Sequence, residues 1–400
     1  MKKYSFLFTV RLMALLIFLL FFVGCFYSKA EYQGEIVWDK TFGGSENDQG
    51  NCIIETSDGG YAITGVTESM GNGKQDLWVL KLDRDGELQW DKTFGGSEND
   101  QGNCIIETSD GGYAITGVTE STGNGKQDLW VLKIDRDGEL QWDKTFGGSE
   151  NDQGIGLLQK KENNHLVIGG WTESYGSIFA DYWFLELNQK GGLIWDKIYG
   201  GDDVDKLHSL TIDNYSNLLG LGYTYSKGAG GKDAWLIKLD SEGNNIWDKT
   251  FGGTQDDELF QIISDKEAYF LIGYTYSKGA GGKDAWLIKL DYNGEIQWEQ
   301  VYGEKNSEFA ESLVLLNNNN IAFCGQKIRY CPKCSSGGFS YYWVAQLDTN
   351  QEIKWQKIFL ESSNSRPHKI IETKSSNILV MGNTINASDG KLDICLVKME

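Results

Sequence analysis

Proline is nearly absent from this chain, 2 residues in 400 against 50 glycines, which excludes a proline-rich linker or a collagen-like rod. Histidine is scarce too. The three present, His165, His208 and His368, are scattered along the sequence, and this argues against a histidine-rich metal centre or a histidine-centred triad. Positive charge is in deficit, with 37 basic against 57 acidic residues for a formal net charge of −20. Removal of a leader containing Lys2, Lys3 and Arg11 leaves 34 basic residues and a net of −23. A field of that sign repels phosphate backbones and anionic headgroups, so no nucleic acid is expected as a partner, and a bare anionic bilayer is a poor one. The long apolar run is limited to residues 12–24, 13 residues, the length of a signal-peptide core and too short to span a bilayer. No stretch has a convincing helical period. What the chain has in quantity is aromatic and β-branched material, including 14 Trp, enough for a large core and too much for a disordered chain.

The amino-terminal segment MKKYSFLFTVR carries the positive charge of a secretory leader, followed by the apolar run. Cys25 stands directly after Phe22, Val23 and Gly24, a four-residue pattern that resembles the lipobox of bacterial lipoproteins. The resemblance implies a signal peptide over residues 1–24, a lipid on Cys25 and a linker over residues 25–34. Ser28-Lys29-Ala30 offers a competing site for ordinary signal peptidase, and an uncleaved anchor is the third alternative. All three export the protein. A lipid on the mature amino terminus tethers a folded domain that itself stays in water.

From residue 35 to 400 the chain is one unit repeated. WDKTFGGSENDQGNCIIETSDGGYAITGVTES begins at Trp38 and again at Trp90, and weaker copies begin at Trp142, Trp195, Trp247, Trp298 and Trp355. Such a period means a repeat architecture. Within a unit, residues 52–56, 61–67, 77–83 and 87–94 read as four strands, joined by the glycine-containing turns SDGG and RDG. GGSENDQG and ESMGNGKQ read as polar exposed links. Four antiparallel strands every 52 residues or so are the signature of a β-propeller blade. The fold expected is all-β, a seven-bladed propeller in which the amino-terminal strand at residues 35–42 joins the last three strands and closes the ring. A monomer is expected.

VLKLDRDGELQW resembles the docking motif of quinoprotein-dehydrogenase-like propellers, in which an outer-strand Trp packs onto the neighbouring blade. The whole pattern, WDKTFGG then SDGGY then DLWVLKLD, resembles the tandem repeats of exported bacterial lipoproteins and cell-surface proteins. The resemblance implies the fold and an envelope location. It does not carry dehydrogenase activity, because that chemistry implies a pair of adjacent cysteines and no two are adjacent here.

Candidate sites follow from what recurs and what does not. Carboxylates recur in the DxW element as Asp76, Asp128, Asp181, Asp233, Asp284 and Asp393, with Tyr341 in the sixth unit. A second set follows GG: Asp48, Asp100, Asp152, Asp205, Asp257 and Glu308, with Ser365 in the seventh. Such side chains accept hydrogen bonds from turn N–H groups. Alternatively, gathered at a channel mouth, they hold a calcium ion or a basic ligand; no other cofactor is expected. Two Trp series repeat in register and read as packing between blades. Trp171 falls outside both, and with channel-facing Asp residues it is the candidate for a carbohydrate. In the enlarged sixth unit, Cys331 and Cys334 form a CPKC pair near Cys324, open to a disulfide, a metal site or redox chemistry. Cys52, Cys104 and Cys395 read as small core residues. No catalytic constellation breaks the repeat. The expected function is therefore a tethered, extracytoplasmic module that binds an envelope protein or a small ligand, with a carbohydrate-binding or glycoside-processing propeller as the alternative.

Overall fold

The computed structural model describes residues 34–330, 338–362, 365–386 and 388–400. Among these, 28 strands form seven four-stranded antiparallel sheets and there is no helix. Each sheet is a meander in chain order, except the last. There, strand Ile36–Phe42 lies outside Leu392–Met399, which is followed inward by Ile378–Ile385 and Arg366–Glu372. The pairing runs from Ile36 against Met399 to Phe42 against Ile394, so the first and last of the described strands share one sheet. The innermost strand of every sheet contacts that of the next, and Arg366–Glu372 contacts Asp48–Glu55 to complete the circle. This is a seven-bladed β-propeller.

The turns are made as their sequences demand. In SDGG, Gly59 adopts a φ of 84°, and Asp58 Oδ1 accepts the Gly60 N–H at 2.9 Å while its other oxygen meets Lys81 Nζ at 2.9 Å. In RDG, Asp83 Oδ1 accepts the N–H groups of Asp85 and Glu87, both at 2.9 Å.

The core lies between blades. The second and third strands of the first blade, Tyr61–Thr67 and Asp76–Leu82, are buried at every position, as strands sandwiched on both faces must be. Ile53, Ile63 and Leu80 pack with Leu379, Met381 and Leu396 from the last blade, and Val79 with Ile105 and Trp130 from the second. The third-strand Trp series is buried, and each indole N–H meets the residue after the outer-strand Trp: Trp78 donates to Asp91 Oδ2 at 3.0 Å and Trp235 to Asp248 Oδ2 at 3.0 Å. The outer series docks on the next blade. A Cβ on Gly86 would lie 3.0 Å from the Trp38 ring, and one on Gly138 2.9 Å from Trp90, and the glycine of the equivalent turn likewise seats Trp142, Trp195 and Trp247.

One sequence expectation needs correction. The innermost strand begins at Asp48 rather than Cys52, so DQGN belongs to a strand and not to an exposed link. Its polar residues are tolerated because this strand edges the central axis, where no further strand covers it.

Candidate functional site

All seven innermost strands carry a β-bulge at the same place. Register shifts fall between Gly50 and Cys52, Gly102 and Cys104, and Gly154 and Gly156 in the first three blades. They fall between Leu207 and Ser209, Leu259 and Gln261, Ala310 and Ser312, and Pro367 and Lys369 in the rest. A bulge re-aims a side chain. Here it turns the residues Asn51-Cys52, Asn103-Cys104, Ile155-Gly156, His208-Ser209, Phe260-Gln261, Glu311-Ser312 and His368-Lys369 onto one cavity of about 430 Å³. Every blade contributes, so the cavity lies on the ring axis, and its volume is in the range of small-ligand sites.

The chemistry of this cavity is uneven around its wall. On one side His208 Nε2 meets Glu258 Oε1 at 2.8 Å, and Lys232 Nζ and Tyr274 OH reach Glu258 Oε2 at 3.0 and 2.7 Å. Burial raises the Glu258 carboxyl, but the His208 contact and charge, with Tyr274 and Lys232, outweigh it and hold the group at about 2. Phe260 packs against His208 with ring centroids 5.5 Å apart. On the other side Arg366 grips Glu311 through Nη2 at 2.6 Å and Nε at 2.8 Å. Burial nevertheless pushes the Glu311 carboxyl up.

His368 is held neutral. Asn383 Oδ1 accepts the Gly50 N–H at 3.2 Å, so its amide nitrogen faces His368 Nε2, 2.9 Å away, as donor. Nε2 is thus an acceptor and the ring proton sits on Nδ1. Burial, with the Arg366 charge, lowers this imidazole to about 3. Beside it Lys369 lines the same cavity and has no ion-pair or hydrogen-bond partner for its ammonium among the described residues. An unpartnered cation inside a chain of net charge −20 is a docking point for an anionic group.

The candidates singled out from sequence lie elsewhere. The two carboxylate series meet in pairs at the blade junctions and do not line this cavity. A Cβ on Gly95 would sit 2.3 Å from Asp76 Oδ1 and 2.6 Å from Asp100 Oδ2, and one on Gly147 2.1 Å from Asp128 Oδ1 and 2.6 Å from Asp152 Oδ2. Asp181 and Asp205 converge likewise on Gly200, and Asp233 and Asp257 on Gly252. Gly43 lies between Asp393 and Asp48, while Asp284 packs on Gly303, next to the Glu304 N–H that Glu308 accepts at 3.0 Å.

Most of these carboxylates bind turn backbone: Asp48 Oδ2 accepts the Gly44 N–H at 2.7 Å, and Asp76 Oδ2 those of Asn72 and Gly73 at 3.0 and 2.9 Å. The second oxygens are less well served. Oδ1 of Asp48, Asp128, Asp152, Asp181, Asp205, Asp233, Asp284 and Asp393 is buried without a hydrogen-bond partner among the described residues. Among the described residues no group of three or more His, Cys, Asp or Glu side chains converges as a metal site.

Trp171 is buried in the second strand of the third blade, and Lys206 Nζ sits over its ring at 3.6 Å. Lys232 over Tyr223 at 4.2 Å and Lys283 over Tyr274 at 3.7 Å repeat the arrangement. The ring is therefore covered rather than presented to a sugar. Cys324 is a free, fully buried thiol, and Cys395 likewise is free and buried. Cys331, Cys334 and Cys25 lie outside the described residues.

Comparisons agree with the fold and go no further. No known family profile matches the chain. The crystal structure of BBS1N in complex with ARL6DN, soaked with lead, aligns with a TM-score of 0.50 at 11% identity, over 92% of this chain and 97% of that one. A protein of unknown function from Dyadobacter fermentans aligns at 0.49 and 13% identity, over 92% and 100% of the two chains. By sequence, the regulatory protein FlaEY of Caulobacter vibrioides is 27% identical over 147 residues, which is 32% of this chain and 15% of that relative. The chain thus spans a small part of the curated relative that it matches.

Proposed function

We propose that this propeller is a non-catalytic binding module, exported and tethered through a lipid on Cys25, whose axial cavity receives the carboxylate of a small organic ligand. The observation that carries the reading is the bulge ring. The seven blades carry six different residue pairs at this one position, Asn-Cys alone occurring twice, and they leave Lys369 without a partner among the described residues, beside His368 and opposite the His208–Phe260 wall. Lys369 supplies charge, His368 Nδ1–H a donor and Phe260 an apolar face. The solved structure of BBS1N, which this chain resembles in fold, is a complex with ARL6DN; this supports an envelope protein on the rim as a second partner, compatible with a ligand on the axis.

The test is a panel of small aliphatic and aromatic carboxylates read by thermal shift and calorimetry. At least one member should stabilise the parent saturably and bind at least about tenfold more weakly to Lys369→Gln, the scale of one charge-assisted hydrogen bond. A parent that ignores the whole panel would overturn the ligand assignment. Tethering is checked separately by detergent partitioning, which Cys25→Ser should abolish.

A further inference from the structure

Two of the seven bulge positions carry the same reactive side chain, and they are neighbours. The first and second units are near-identical copies, so Cys52 and Cys104 take equivalent places on adjacent innermost strands, where the ring is narrowest. Both are free thiols, both belong to one cluster between the blades, and both line the axial cavity. Asn51 Nδ2 donates to the Gly102 carbonyl oxygen at 2.8 Å and the Cys52 thiol to the Ile105 carbonyl oxygen at 3.9 Å, so the Cys52 bulge is tied directly to the strand that carries Cys104. On the far side of Cys52 the closing blade places Lys369, and beyond Cys104 the third blade has only Gly156. Cys324 and Cys395 differ. They are packed in the core away from this cavity, and burial raises both thiols.

We propose that Cys52 and Cys104 are a redox-active dithiol, oxidised by a small external disulfide to a bond that joins the first two blades inside the cavity. Cys52 is the attacking sulfur. The neighbouring Cys104 thiol and the charge of Lys369 favour its thiolate against the cost of burial, and the neighbouring Cys52 sulfur together with burial raises the Cys104 thiol. The Cys52 thiolate attacks one sulfur of the external disulfide, forms a mixed disulfide and expels a thiolate that takes up a proton. Cys104 then loses its proton to solvent and attacks the Cys52 sulfur, expelling the second thiol. Two cysteine thiols have lost two electrons and two protons, and the external disulfide has become two thiols.

Peptide mapping reads this directly. Tryptic peptides 41–74 and 93–126 differ only at Met70 and Thr122, so a linked pair is distinguishable from a doubled copy of either. After oxidised glutathione and an alkylating quench, the full chain should yield the 41–74 to 93–126 linked peptide in a monomer. Cys104→Ser should instead hold a stable glutathione adduct on Cys52, and Cys52→Ser should give neither product. As a check that needs no variant, one equivalent of a trivalent arsenical, which needs two neighbouring thiols, should protect both cysteines of the reduced parent. Recovery of both cysteines alkylated after oxidation, or a link from either to another cysteine, would overturn the proposal. These readouts use no carboxylate ligand, so they stand or fall apart from the binding assignment.

Discussion

A buried carboxylate beside another carries an electrostatic cost unless a counter-charge or a proton sits between them, and the blade junctions repeat that arrangement. At the junction of Asp128 and Asp152, burial first and then the neighbouring charge raise the Asp128 carboxyl, against two turn N–H groups that lower it. Both residues keep an Oδ1 without a partner. The calcium expectation therefore belongs to these gaps and not to the axial mouth. Calcium should raise the parent's melting temperature saturably. Asp128→Asn should raise it in chelator by about 1–2 °C, on the order of 1 kcal/mol for a chain this long, and should blunt the calcium response at that junction. A parent whose melting ignores calcium would leave the pairs as turn caps alone. The recurrence of these residues was legible in the sequence, but their pairing was not, because partners such as Asp76 and Asp100 come from different blades.

Each bulge is matched by a glycine on the second strand. A Cβ on Gly117 would stand 1.9 Å from the Gln101 carbonyl oxygen, and on Gly170 1.8 Å from that of Gln153. The backbone of the bulged strand can approach only where no side chain stands opposite it. Gly117→Ala should therefore destabilise the chain by about 1–3 kcal/mol or more in urea unfolding. It should also weaken ligand binding, because relief of the clash moves Asn103 and Cys104 at the cavity. Unchanged stability would mean that the bulge is not locked by this contact. The element was half legible. Residues 61–67 stand out by their β-branched pattern, whereas DQGN has the composition of a loop, and only its pairing with residues of the second strand, Asp48 opposite Thr67, shows it to be a strand.

At the scale of the molecule, closure depends on one strand. Deleting residues 35–42 removes six residue pairings with Leu392–Met399 and bares the edge of the last sheet to water and to other chains. Melting should fall by more than the loss of a surface segment of equal length, and limited proteolysis should cut first in the last sheet. A deletion variant that melts like the parent would speak against a ring held by both ends. This closure was legible in advance, since an isolated outer strand opens the array and the last three-strand set lacks its fourth.

The copy number, the strands, the blade-to-blade seats of the Trp series and the joining of the termini all follow from residues that recur, because repetition writes the same local physics seven times. The axial site follows from residues that do not recur. His208, Glu311 and His368 are separated along the chain by whole blades, and the sequence shows them only as scattered exceptions at one position of the repeat. A bulge turns each inward, and the circle of seven strands brings them within one cavity. Local pattern can specify a blade because a blade's hydrogen bonds are made between neighbouring segments. The chemistry on the axis exists only once the last blade has met the first and set Lys369 beside Cys52.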